Sequence, residues 1–180
     1  AANGYSPAMI ALSNLYQAGL GGLEKNVPLA ASWVEKAAMA GSVDALYFYG
    51  RRLELGDGVP KDEKLAMLWY KRAAQRGQAA AQYRLGSIGD GTKTGPDSNV
   101  DAYMWLTLAS QRAKDKVRTD AQQAIRALTP NMMPSEVNEA TTRARAWRPD
   151  PPPFNIKSDP AYDGQGGLNA PPPGDATAGG

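Results

Sequence analysis

The chain has no histidine and no cysteine, and these two absences remove most of the familiar catalytic and metal-binding chemistry. Without imidazole there is no Ser-His-Asp triad, no Cys-His pair and no His-ligated metal. Without thiols there is no disulfide framework, no zinc-finger pattern and no thiol nucleophile, and the redox compartment stays open. No run of 18 apolar residues exists, so no segment reads as a membrane-spanning helix. No signal peptide is visible, although a cleaved one would leave no trace. Lys and Arg number 20 against 18 Asp and Glu, a net charge of +2, too near balance for a dedicated nucleic-acid binder.

What the chain does have is a ruler. Trp33, Trp69 and Trp105 stand 36 residues apart, as do Ala30, Ala66 and Ala102, and again Ala37, Ala73 and Ala109. Asn26, Asp62 and Ser98 keep the same step. Each can cap a helix, because a short side-chain oxygen accepts a bond from an orphan N–H of the first turn. Repetition at this length is the mark of a solenoid.

Each unit reads as two helices. In the clearest, Val43 to Leu55 is followed by GDGVPK and then by Asp62 to Arg76. The second helix opens on Asp62 and Glu63 and closes on Lys71, Arg72 and Arg76 before Gly77, as the helix dipole and a glycine stop favour. Ala66, Trp69 and Ala73 share one face, and Ala45, Tyr49 and Leu53 form the matching stripe of the first helix. Gly50 is a point of close helix approach. Ala8, Leu12, Tyr16 and Gly19 are the counterparts of Ala45, Tyr49, Leu53 and Gly56 at an offset of 37, with the difference taken up in the loop from Leu20 to Leu23. Ser6-Pro7 reads as a cap followed by proline at the first helical position. The third unit begins at Ala81 with Leu85 and Gly86, and the early Gly89 and Gly91 cost its first helix the last turn.

The run GDGVPKDEKLAMLWYKRAAQRG resembles a Sel-one-like repeat, a relative of the tetratricopeptide repeat. Ala45, Gly50, Gly56, Gly58, Val59, Asp62, Ala66, Trp69, Tyr70, Ala73, Ala74 and Gly77 match the family pattern, while Tyr49 and Leu53 exchange its usual Leu and Tyr. The first copy departs at Ser13 and Val34, and the third at Ala109, Ser110 and Ala113. The resemblance implies an all-α fold, a right-handed α-solenoid (α-α superhelix). Three repeats are expected at about 5–41, 42–77 and 78–113, within 1–113, with the remnant of an earlier repeat at 1–4. Lys116 to Leu128 and Ser135 to Trp147 read as helices of a C-terminal cap at 114–148. The Pro- and Gly-rich segment 149–180 has too few aliphatic residues to offset its ordering entropy, and is expected to be a disordered spacer or strap. Phe154, Ile156 and Tyr162 are its candidates for finding a groove.

Two apparent chemical motifs fail on their own terms. Gly86 to Thr94 approximates a phosphate-binding loop, but Thr92 separates Gly91 from Lys93 and no strand precedes it. Asp90, Thr92, Thr94, Gly95 and Ser98 follow a calcium-loop spacing, but Asp101 replaces the bidentate Glu. No cofactor or metal is therefore expected. The resemblance implies a non-catalytic scaffold that binds a protein or peptide on the concave face lined by the first helices, with no nucleic acid as partner. Ile10, Asn14, Gln17, Tyr47, Arg51, Glu54, Tyr83, Ser87 and Asp90 lie on that stripe. Tyr47 and Tyr83, one repeat apart, would be its aromatic anchors, unless both are packing residues. A cell-envelope glycan binder using the same rings is the alternative, and a hydrolase the remoter one. The resemblance favours a periplasmic or secreted setting, with a cytoplasmic one left open.

Overall fold

The computed structural model describes residues 5–88 and 99–150. Among the described residues there are eight α-helices and no strand. In chain order they are α1 (Ser6–Ala18), α2 (Val27–Met39), α3 (Val43–Leu55), α4 (Glu63–Gln75), α5 (Ala79–Ser87), α6 (Asn99–Arg112), α7 (Asp115–Leu128) and α8 (Pro134–Ala146). A single 3-10 turn, Thr129–Asn131, joins the last two. Each helix up to α6 packs on its predecessor, and α7 and α8 both lie on α6. The pairs α1–α2, α3–α4 and α5–α6 thus stack in sequence order. The expected remnant at 1–4, the loop 89–98 with its calcium-like spacing, and residues 151–180 of the tail lie outside the described residues.

The second helices begin where the 36-residue step puts them. Leu29 N–H donates to Asn26 Oδ1 at 3.0 Å, and Leu65 N–H to Asp62 Oδ1 at 2.9 Å. Their counterpart Ser98 is not among the described residues. A second set of caps, absent from the sequence reading, opens the first helices. Ser42 Oγ accepts from Ala45 N–H at 3.3 Å and Gln78 Oε1 from Ala81 N–H at 2.8 Å. The reading of Ser6 as a cap is corrected: Ser6 is the first helical residue and buried, Pro7 follows it, and Tyr5 holds the cap position with no side-chain bond. Proline is tolerated there because the first-turn N–H groups have no helical partner to lose.

The core sits in the middle pair. Leu46, Tyr49, Trp69 and Tyr70 are fully buried, with the Tyr49 and Trp69 rings edge-to-face at 4.9 Å. Small residues let the helices close on these rings: a methyl group on Gly50 would stand 2.9 Å from the Tyr70 ring. Its counterpart Gly86 is held as tightly, since a methyl group there would stand 2.5 Å from Leu106 Cγ. Trp33 and Trp105 are only half-buried, because Trp69 alone has a repeat pair on either side. The counterpart stripe in α1 holds in sequence but not in burial. Ala8 is exposed and Leu12 and Tyr16 are half-buried, since no described helix covers that side of α1. As its glycines imply, α5 is short, with 9 residues against 13 in α3.

Beyond the pairs, the Arg112 guanidinium sits 4.4 Å over the Trp147 ring, a cation–π contact. The backbone then turns back toward the second pair, where Asp150 N–H donates to the Gln75 carbonyl at 2.8 Å. One helix pair earlier, Arg76 Nη1 donates to the Gly41 carbonyl at 2.8 Å.

Candidate binding groove

Between α1 and α3 runs a groove of about 310 Å³, floored by Val34 of α2. Ile10, Asn14 and Gln17 line it from α1, one turn apart. Phe48, Arg51, Arg52 and Leu55 line it from α3, and Asp57 lines it from the loop that follows. Phe48, Arg51 and Leu55 stand at i, i+3 and i+7, so they form one stripe along the helix. Phe48 is 40% exposed and Leu55 64%, an apolar pair left open to solvent on either side of a cation.

The two arginines differ in what they face. Arg52 is nearly buried, its side chain 11% exposed. Its Nη1 donates to Asp57 Oδ2 at 2.9 Å, to the Asp57 carbonyl at 3.2 Å and to Gln17 Oε1 at 3.0 Å. Its Nη2 reaches Ser13 Oγ at 3.4 Å. Burial lowers the Arg52 pKa from its ordinary value and the Asp57 carboxylate opposes that shift. This side chain ties α1 to the loop after α3 and is spent on structure. Arg51 is exposed and makes no hydrogen bond or ion pair among the described residues.

The loop that carries Asp57 is pinned from below. Gly58 lies at φ +78° against the Val27 carbonyl at the start of α2. The Gly-x-Gly run after α3 thus serves as the contact through which one repeat rests on the one before it.

On the other flank of α3, Tyr70 Oη donates to Glu54 Oε2 at 2.6 Å, and Arg84 pairs with Glu54 Oε1. Tyr47 lies 5.7 Å from the Tyr70 ring and 5.7 Å from Phe48. Burial, then the neighbouring Tyr47, raises the Tyr70 pKa well above its ordinary 10.0, and Arg51 opposes them. The folded state therefore holds this proton more tightly than the unfolded chain does. That contribution is complete below the unfolded value and is lost as pH rises from there toward the folded one. In urea titrations at about pH 9 and about pH 11, wild type should lose more stability than Tyr70→Phe over the interval. Equal losses would mean that the phenol is not shielded.

The structure therefore gathers four of the expected site residues, Ile10, Asn14, Gln17 and Arg51, around one groove. Gln17 is engaged there with Arg52, and its Nε2 lies 3.4 Å from Asp57 Oδ2. Glu54 is held by Tyr70 and Arg84, and Tyr47 is half-buried against Tyr70. Tyr83, half-buried, packs on the separate cluster of Leu106, Ala109 and Ala121. Ser87 is exposed and donates to the Arg84 carbonyl at 3.2 Å. Asp90 lies outside the described residues. Sequence reasoning missed Phe48 and Leu55, although two apolar residues seven apart and off the buried stripe are a readable signal. It also missed Val34, Arg52 and Asp57. Asp101, the weak member of the calcium-like spacing, accepts from Arg143 Nη1 of α8 at 2.8 Å. Among the described residues no group of three His, Cys, Asp or Glu could hold a metal, and no helix is long and apolar enough to cross a membrane.

A stack of antiparallel helix pairs with one-repeat spacing of caps, tryptophans and contact glycines defines an α-solenoid repeat protein. The Sel1 repeat model matches residues 6–42, 43–78 and 79–113, more than half of the chain, and the chain belongs to the Sel1-repeat family. It is similar to the crystal structure of a Sel1 repeat protein from Oxalobacter formigenes, with 28% identity and a TM-score of 0.60, over 67% of this chain and 46% of that one. It is also similar to c5321, a protective antigen of uropathogenic Escherichia coli strains displaying an SLR fold. That match has 22% identity and a TM-score of 0.50, over 79% of this chain and 37% of that one. The chain thus spans less than half the length of either protein. Among curated proteins no match is found. Sel1 repeat proteins generally mediate protein–protein interaction.

Proposed function

We propose that this chain is a non-catalytic scaffold that binds a protein or peptide on the concave face built by its first helices, with the α1–α3 groove as the principal seat. The observation that carries this reading is the exposed Phe48–Leu55 pair in a groove whose opposite wall is set by Ile10 and Asn14. Exposed apolar side chains flanking a polar group are the usual makings of a binding anchor. Tyr47 supports the stripe from beside it, its ring packed against both Phe48 and Tyr70. In this reading 114–148 is a cap over the last repeat and 149–180 a spacer. The two tyrosines are less suited to stacking on sugar rings, since both are half-buried in side-chain contacts.

A random dodecapeptide phage library selected on the full chain tests this. Replacing Phe48 and Leu55 together by serine should weaken the selected peptides by about 1–3 kcal/mol per anchor. Lys64→Ala, on exposed α4 surface, should leave them unchanged. Equal binding to all three proteins would place recognition elsewhere, and loss on removing residues 151–180 would move it to the tail.

A further inference from the structure

The groove's charges are not evenly matched, and the mismatch says what it takes. Arg52 is answered by Asp57 and Glu54 by Arg84. Arg51 stands between Phe48 and Leu55 with no ion pair among the described residues. We infer that the groove selects peptides in which an acidic side chain lies beside an apolar anchor, the carboxylate paired with Arg51. This rests on the groove being the binding seat.

The spacing follows from helix geometry. Phe48 and Leu55 are seven residues apart, which at the α-helical rise is about 10 Å along α3. A peptide in polyproline geometry repeats its side-chain direction every three residues, about 9 Å. Two apolar residues at i and i+3 therefore match the two exposed side chains. Arg51 is about 4–5 Å along the axis from Phe48, so the acidic residue belongs next to the anchor over Phe48. Asp57 lines the groove two residues beyond Leu55, and its partly exposed carboxylate disfavours a second acid there. A guanidinium whose donors are unused can take a carboxylate with two parallel bonds, which gives direction as well as attraction.

The test uses the library-selected dodecapeptides, labelled and titrated by fluorescence anisotropy against the full chain, together with copies in which each Asp or Glu is replaced by Lys. The selected sequences should carry an acid within two residues of the leading apolar anchor, and the Lys copies should bind wild type at least about tenfold more weakly. Arg51→Glu should reverse that order. Arg51→Gln should abolish the preference and flatten the fall in binding between about 0.05 M and about 0.5 M salt. Helical circular dichroism of both variants should match wild type, since Arg51 is exposed. Equal binding of acidic and Lys copies, with both lost in the Phe48→Ser/Leu55→Ser protein, would overturn this inference and leave the groove reading standing. Binding that survives the serine replacements, or no selected peptide at all, would overturn both.

Discussion

Trp69→Ala should lower the stability of the folded chain by about 3–5 kcal/mol, measured by urea or thermal denaturation. The indole has no solvent exposure and meets Tyr49 edge-on at 4.9 Å in the middle of the stack. Its removal forfeits a large transfer free energy and leaves a void beside Tyr49 that the close-packed α3 and α4 cannot fill without shifting. Trp147→Ala should cost less, because that ring is half-buried and one face is covered by Arg112 instead of by packed helix. Losses of under about 1 kcal/mol at both positions would contradict a stack centred on the second pair.

Gly58→Ala should be the second costly change, and Gly22→Ala separates its causes. Both glycines have positive φ, +78° and +79°. An alanine at either therefore meets the left-handed penalty of about 1–2 kcal/mol. Nothing lies within 4 Å of a methyl group at Gly22. At Gly58 the same methyl group runs into the Val27 carbonyl oxygen, a backbone atom at the start of a helix that cannot turn aside. The loop or α2 must shift, and Asp57 moves with it, loosening its hold on Arg52. Overpacking of this kind adds about 1–3 kcal/mol, so Gly58→Ala should exceed Gly22→Ala by roughly that amount in denaturation midpoints converted to free energy. Equal effects would mean that the loop is not seated on the preceding repeat.

Helix limits were the most legible property, because caps, apolar spacing and glycine stops all act within a few residues of one another. Val43–Leu55 is the same in sequence and structure, and Asn26 and Asp62 cap as their spacing implies. Burial was less legible, since it depends on what stacks outside a helix. The step of 36 cannot distinguish Trp69 from Trp33, nor can the offset of 37 distinguish Ala45 from Ala8. The groove was read in part for a related reason. Ile10, Asn14, Gln17 and Arg51 lie off the buried stripe and could be placed by turning the helix through half a circle. Phe48 and Leu55 each follow a member of the Tyr47–Arg51–Glu54 stripe by one residue, so a stripe drawn directly opposite the buried face passes beside them. Whether they stay open depends on how α1 and α3 sit together, and Arg52, Gln17 and Asp57 tie those two repeats at the groove.

The return of the backbone after α8 changes how the array should come apart. In a linear array of repeats each unit touches only its neighbours, so the ends fray first and unfolding runs inward one unit at a time. Here Asp150 is bonded to the Gln75 carbonyl, and a methyl group on Gly77 would lie 3.7 Å from Trp147 Cη2. Trp147 and Asp150 therefore close a loop of chain around α5, α6, α7 and α8 and fasten it to the end of α4. α8 cannot peel away from this end without first undoing a contact made with the middle of the molecule. Melting from this end is a collective event, and amides in α5 and α6 should exchange with solvent at rates closer to those of α3 and α4 than to those of α1.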